Sequence, residues 1–101
     1  MRTPWGASDY SQRYAPGIVF YGTPSHGGFH LTPKREQELD VKLREHGITA
    51  EEARMGYAPG WYEEDCSVYA VMFAFDEARP GPTTPEHCLE RLRYWIGRAA
   101  A

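Results

Sequence analysis

The sequence is poor in cysteine, with Cys66 and Cys88 as its only two in 101 residues. Two thiols make no disulfide framework, and in a reducing compartment both are expected to be buried. Long apolar runs are missing as well. The longest, Val68 to Phe75, is too short to cross a bilayer. The N-terminus, Met1-Arg2-Thr3-Pro4-Trp5, lacks the apolar stretch of a signal peptide, so the cytoplasm is the expected compartment. No Gly-Lys-Ser/Thr follows Gly27-Gly28, which excludes a phosphate-binding P-loop. No serine stands in a nucleophile-elbow context. The length itself excludes doubly wound nucleotide folds, TIM barrels and protein kinases, and predicts one domain over residues 1–101.

What is present is an ordinary globular composition, 42% hydrophobic and 25% charged, with enough aromatics (14%) to argue against disorder. The formal net charge of −3 conceals an uneven distribution. Residues 1–48 are nearly neutral. Residues 49–90 carry Glu51, Glu52, Glu63, Glu64, Asp65, Asp76, Glu77, Glu86 and Glu90 against Arg54 and Arg79 alone, a net −7. Residues 91–101 add Arg91, Arg93 and Arg98. Such asymmetry speaks to partners rather than to fold, and disfavours contact of the middle segment with a phosphate backbone. The plainer explanation is that first-turn carboxylates complement helix dipoles.

Glycine and proline punctuate the first third of the chain. Between them lie three short extended candidates, 8–14, 17–22 and 28–31, which read as an antiparallel meander with a tight turn at Ala15-Pro16-Gly17. Thr32-Pro33 and Thr84-Pro85 are helix starts, a hydroxyl cap followed by proline. The first predicted helix covers 33–46 with a thin apolar stripe, Leu39 and Leu43, before Gly47. Thr49-Ala50-Glu51-Glu52 is a capping box opening a short helix that stops at Gly56. Residues 61–75 read more as a buried helix than as a strand, with Glu63-Glu64-Asp65 in its first turn. Cys88, Leu89, Leu92, Trp95 and Ile96 form an apolar face on a last helix ending at Gly97. The expected fold is α+β: a small antiparallel sheet of about three N-terminal strands packed against two to four helices.

The densest polar motif is Ser25-His26-Gly27-Gly28-Phe29-His30. Histidines four apart share strand parity, and Glu63 or Asp65 would have to complete a metal site. The helical metalloprotease pattern is broken by Gly27, so no metal and no cofactor are expected, and the two glycines are expected to serve a turn with positive φ. Cys66 beside three carboxylates is a poor nucleophile. Trp95 is expected in the core, whereas Trp5 and Trp61, each beside a glycine, are candidates to anchor a partner.

The blocks Ser25-His26-Gly27-Gly28-Phe29-His30-Leu31 and Gly60-Trp61-Tyr62-Glu63-Glu64-Asp65-Cys66, with Trp5-Gly6 and Gly17-Ile18-Val19-Phe20 before them, resemble a small domain of unknown function from phage- and plasmid-associated bacterial proteins. They are family signatures without a transferable chemistry. The resemblance implies a mobile-element context, in which small acidic proteins inhibit host defence, including CRISPR–Cas complexes.

Two functional expectations follow. The first is a stoichiometric, anti-CRISPR-like inhibitor. Glu63, Glu64, Asp65, Asp76 and Glu77 would meet a basic channel on a protein or ribonucleoprotein, with Trp61 or Tyr62 as anchor, and with no direct binding of nucleic acid or membrane. The second is a small hydrolase or transferase using His26, His30, Glu63 and Asp65, with metal assistance as one form. With no catalytic constellation beyond that set, a binding function is expected ahead of an enzymatic one.

Overall fold

The computed structural model describes residues 1–101 as an α+β domain. Two minimal strands, β1 (Arg2–Thr3) and β2 (Gly6–Ala7), pair antiparallel as a ribbon at the N-terminus. The main sheet is four-stranded and antiparallel, in the order β3 (Tyr10–Ala15), β4 (Ile18–Gly22), β5 (Gly27–Leu31), β6 (Trp61–Glu63). The first three form the expected meander. Ala15 and Ile18 face one another across Pro16-Gly17, where Gly17 takes φ +81°, a value that favours glycine.

The helices follow their caps. In α1 (Pro33–Arg44) the Thr32 hydroxyl accepts the Arg35 N–H, and in α4 (Pro85–Ala100) the Thr84 hydroxyl accepts that of His87. Both halves of the Thr49–Glu52 capping box form at the start of α2 (Ala50–Arg54). Helix α4 runs through Gly97 rather than stopping there, because Gly97 retains helical φ and no proline follows it.

The segment 61–75 corrects the helical expectation. Its first three residues are strand β6, a turn follows, and α3 spans only Val68–Ala74, ahead of a 3-10 turn at Asp76–Ala78. Helical and strand signals were both present, one after the other. Glu63 therefore ends a strand, and Glu64 and Asp65 lie in a turn, not in the first turn of a helix. The sheet accordingly gains a fourth strand, contributed from beyond α2 and laid beside β5.

Alternation along the strands sorts the side chains. Ile18, Phe29, Leu31 and Tyr62 point inward and join Leu39, Leu43, Val71 and Leu92 in the core. Helices α1 and α3 cover this face, and α4 packs on α3 instead of on the sheet. Trp95 is only half-buried, whereas its neighbour Ile96 packs against the core. Val19, Tyr21, His30 and Trp61 point to the opposite face.

The two glycines of the His-Gly-Gly-Phe-His block sit inside β5, and neither has positive φ. Their role is close approach, not a turn. A Cβ on Gly27 would press on the Phe20 ring at 2.9 Å, and one on Gly28 would collide with the Trp5 ring and the Tyr62 carbonyl. The missing side chains let aromatic rings approach the strand backbone closely. The β1–β2 ribbon delivers Trp5 to that seat: the Thr3 hydroxyl donates to the Gly6 carbonyl at 2.7 Å and accepts the Trp5 N–H at 3.1 Å.

Candidate functional site

Antiparallel pairing of β5 with β6 sets Gly28 opposite Glu63, and the next residue, Glu64, donates its N–H to the Gly27 carbonyl at 2.9 Å. This brings the turn after β6 against the turn before β5. The latter is closed by Thr23, whose hydroxyl donates to the His26 carbonyl and accepts the His26 N–H. His26 Nδ1 then stands 3.8 Å from Glu63 Oε2. Donor atoms of His26, Glu63 and Asp65 all lie within 4.8 Å of one another. The other Glu63 oxygen accepts from the Cys66 thiol at 3.3 Å. Burial pushes that thiol's pKa up, and the Glu63 carboxylate adds to the effect against the opposing Ser67 hydroxyl. Cys66, half-buried rather than fully buried, is held in its unreactive form.

His30 is not part of this cluster. It packs against Trp61, with ring centroids 4.5 Å apart and the planes tilted by 51°, and faces a separate cleft. The four-residue hydrolase set is thus divided three to one. Trp61 is half-buried in an aromatic group with Trp5 and Tyr21, which also takes in Tyr57 through Trp5. Tyr62 cannot anchor a partner. Strand parity turns it inward, and it is fully buried.

The acidic residues occupy exposed turns. Glu64, Asp65, Asp76 and Glu77 are all exposed. Glu64 and Arg79 both line a hollow of about 470 Å³ whose walls include Tyr14, Phe20, Val68, Met72 and Pro80. Arg79 is 12% exposed, pairs with Asp76 and donates to the Met72 carbonyl at 2.7 Å. The segment's other cation, Arg54, is also 12% exposed and lies 3.1 Å from Glu36. Both cations of residues 49–90 are therefore turned inward, while Glu64, Asp65 and Glu77 form no ion pair. The outward charge of the segment is more negative than its composition suggests.

A second concavity, of about 600 Å³, opens between α1, α2 and the loop before β6. Here lies a network that the sequence did not disclose. The buried Tyr62 hydroxyl donates to Glu36 Oε1 at 2.5 Å, and Arg54 Nε meets Glu36 Oε2. The Arg54 Nε–H is not aligned for a hydrogen bond, so the contact is ionic, while its Nη1 donates to the Tyr57 carbonyl. Tyr62 is held protonated by burial and by the adjacent carboxylate, its pKa driven far above the usual tyrosine range. Asp40 accepts the Ala50 N–H and pairs with Arg44 at 2.7 Å, and the Ala50 hydrogen bond chiefly holds its pKa down. The available signals were faint: Glu36 sits on a helix with a thin apolar stripe, and Arg54 is one of only two cations in an acidic stretch.

His30 lines this cleft, and burial lowers its pKa despite the opposing Glu36 charge. The folded state thus prefers neutral imidazole. Its contribution is intact above the ordinary histidine value of about 6.5 and is lost as pH falls through the lower folded value. Urea unfolding between about pH 7.5 and pH 5 should show stability declining with acid, and His30→Asn should flatten that decline. An unchanged slope in the variant would assign the effect elsewhere.

The chain belongs to the family described as Domain of unknown function (DUF7007), which matches residues 1–99. Neither the curated proteins nor the solved structures contain a match.

Proposed function

We propose that this member of the DUF7007 family is a stoichiometric binding protein that occupies a basic surface on a protein or ribonucleoprotein, as an anti-CRISPR-like inhibitor of a bacterial defence complex. The observation that carries this reading is the inward turning of Arg54 and Arg79, which leaves Glu64, Asp65 and Glu77 exposed without counter-charges. Beside Glu64 lies the apolar hollow, and Tyr14 at its wall is 37% exposed. An apolar recess with a charged rim is the usual layout of an interface hot spot. The rim would steer a lysine- and arginine-rich partner, and the hollow would take an apolar side chain or the aliphatic stem of a basic one. Tyr14 thus replaces Tyr62 as the anchor.

The mobile-element setting implied by the sequence resemblance makes the nucleic-acid channel of a CRISPR effector the partner of choice. No helix is long and apolar enough to cross a membrane.

A triple variant, Glu64→Lys/Asp65→Lys/Glu77→Lys, tests the electrostatic mechanism. All three side chains are exposed and unpaired, so the fold should survive. Protection of phage in a plaque assay should be lost, with association to the target slowed about tenfold or more at low salt. Full protection by the folded variant would sink the proposal.

A further inference from the structure

We propose that His26, Glu63 and Asp65 form a binding site for one divalent transition-metal ion, of which zinc is the type. The three residues come from the turn before β5, the last position of β6 and the turn after it, which only sheet pairing brings together. One imidazole nitrogen and two carboxylates, mutually within 4.8 Å, supply the mixed N/O donor set that zinc accepts. A tetrahedral ion with bonds of about 2.0–2.2 Å holds its ligand atoms roughly 3.4 Å apart. The present 3.8 Å between His26 Nδ1 and Glu63 Oε2 is closed by a small side-chain rotation.

The surroundings fit a ligand set. Glu63 is the half-buried member, its side chain 15% exposed, and its two oxygens are already distinguished. Oε1 takes the Cys66 thiol, whereas Oε2 faces His26. A hydrogen bond on the non-ligating oxygen is how metal-binding carboxylates are oriented. Asp65 makes no ion pair and closes the triangle from the solvent side. Three protein ligands leave a fourth position open to water or to a donor from a partner.

The inference does not rest on the inhibitor reading: His26→Ala removes a ligand without touching Glu64, Asp65 or Glu77, so loss of metal binding and loss of inhibition are read separately. His30 is outside the site and serves as the control. The full chain without a polyhistidine tag is titrated with Zn²⁺ by calorimetry under reducing conditions. One ion per chain is expected. His26→Ala and Asp65→Asn should each weaken binding about tenfold or more, while His30→Asn should leave it unchanged. The melting temperature should rise with Zn²⁺ in the wild type but not in His26→Ala. Both substituted ligands are exposed, and circular dichroism verifies that the variants fold. Absence of saturable binding would overturn the assignment. So would equal binding by wild type and His26→Ala, which would locate the ion at the cysteines or at other histidines.

Discussion

Gly28→Ala is expected to be the most disruptive single-methyl change in the chain. The new Cβ would meet the Trp5 ring on one side and the Tyr62 carbonyl on the other, with the Glu63 Cα at 3.0 Å. Two of these three obstacles are backbone atoms of the paired strand β6, which cannot rotate away. Relief requires β6 to move off β5 as well as Trp5 to leave its seat. Overpacking of this kind costs about 1–3 kcal/mol and more where backbone is in the way. In a domain of this size each kcal/mol is worth about 4–8 °C, so a fall in melting temperature of about 10–20 °C is expected. Gly97→Ala is the counterpart. A Cβ there meets nothing within 4 Å, and Gly97 lies inside α4. That substitution should raise stability by about 0.5–1 kcal/mol through helix propensity. Thermal unfolding of the two variants compares the same added methyl in opposite contexts. A tolerated Gly28→Ala would contradict the close pairing of β6 with β5 at Gly28 as well as the seat of Trp5.

The second large effect is expected at Glu36. Its carboxylate accepts from the buried Tyr62 hydroxyl with one oxygen and meets Arg54 with the other. Glu36→Ala removes both contacts together. It leaves a fully buried phenol without its acceptor and a guanidinium, 12% exposed, without its counter-charge. Breaking a buried pair from one side costs about 3–5 kcal/mol, and the partial exposure of this pair reduces that to about 2–4 kcal/mol. Tyr62→Phe should cost less, about 1 kcal/mol, because it removes a donor and leaves an ion pair intact. The double variant should fall short of the sum of the two, since both act on one network. Urea unfolding of the four proteins gives the coupling. Strict additivity would show that Tyr62 and Glu36 do not interact.

Most of the architecture was legible because it was written in local signals. The cap-plus-proline pairs at Thr32-Pro33 and Thr84-Pro85, the Thr49–Glu52 box and the Pro16-Gly17 turn each act over a few residues, and each forms. What escaped depended on partners distant in sequence. Trp61–Glu63 is a strand only because β5 offers it an edge. Three residues are too few for periodicity to declare, and the apolar helix that follows obscured them. Gly27 and Gly28 looked like turn residues because the sequence does not reveal that rings from Phe20 and Trp5 lie across them.

The site shows the same division. The convergence of His26, Glu63 and Asp65 was among the combinations that sequence allows, but only the β5–β6 register separates His30 from it. Tyr62 was misplaced by the same register, which turns alternate residues to opposite faces. The cleft network of Glu36, Arg54 and Tyr62 joins three elements and leaves almost no local trace. The acidic bias of residues 49–90 was visible as a count. Its strength at the surface depends on where Arg54 and Arg79 point, which is a tertiary property.

The exposed carboxylates Glu64, Asp65 and Glu77, with the apolar hollow beside Glu64, are proposed to block a basic nucleic-acid channel. The most direct measurement titrates the purified chain into a set of purified CRISPR effector complexes and follows target binding by each. One effector is expected to lose its nucleic-acid target at one-to-one stoichiometry, and Glu64→Lys/Asp65→Lys/Glu77→Lys is expected to leave that effector free. Undiminished target binding by every effector, or equal inhibition by the triple variant, would contradict it.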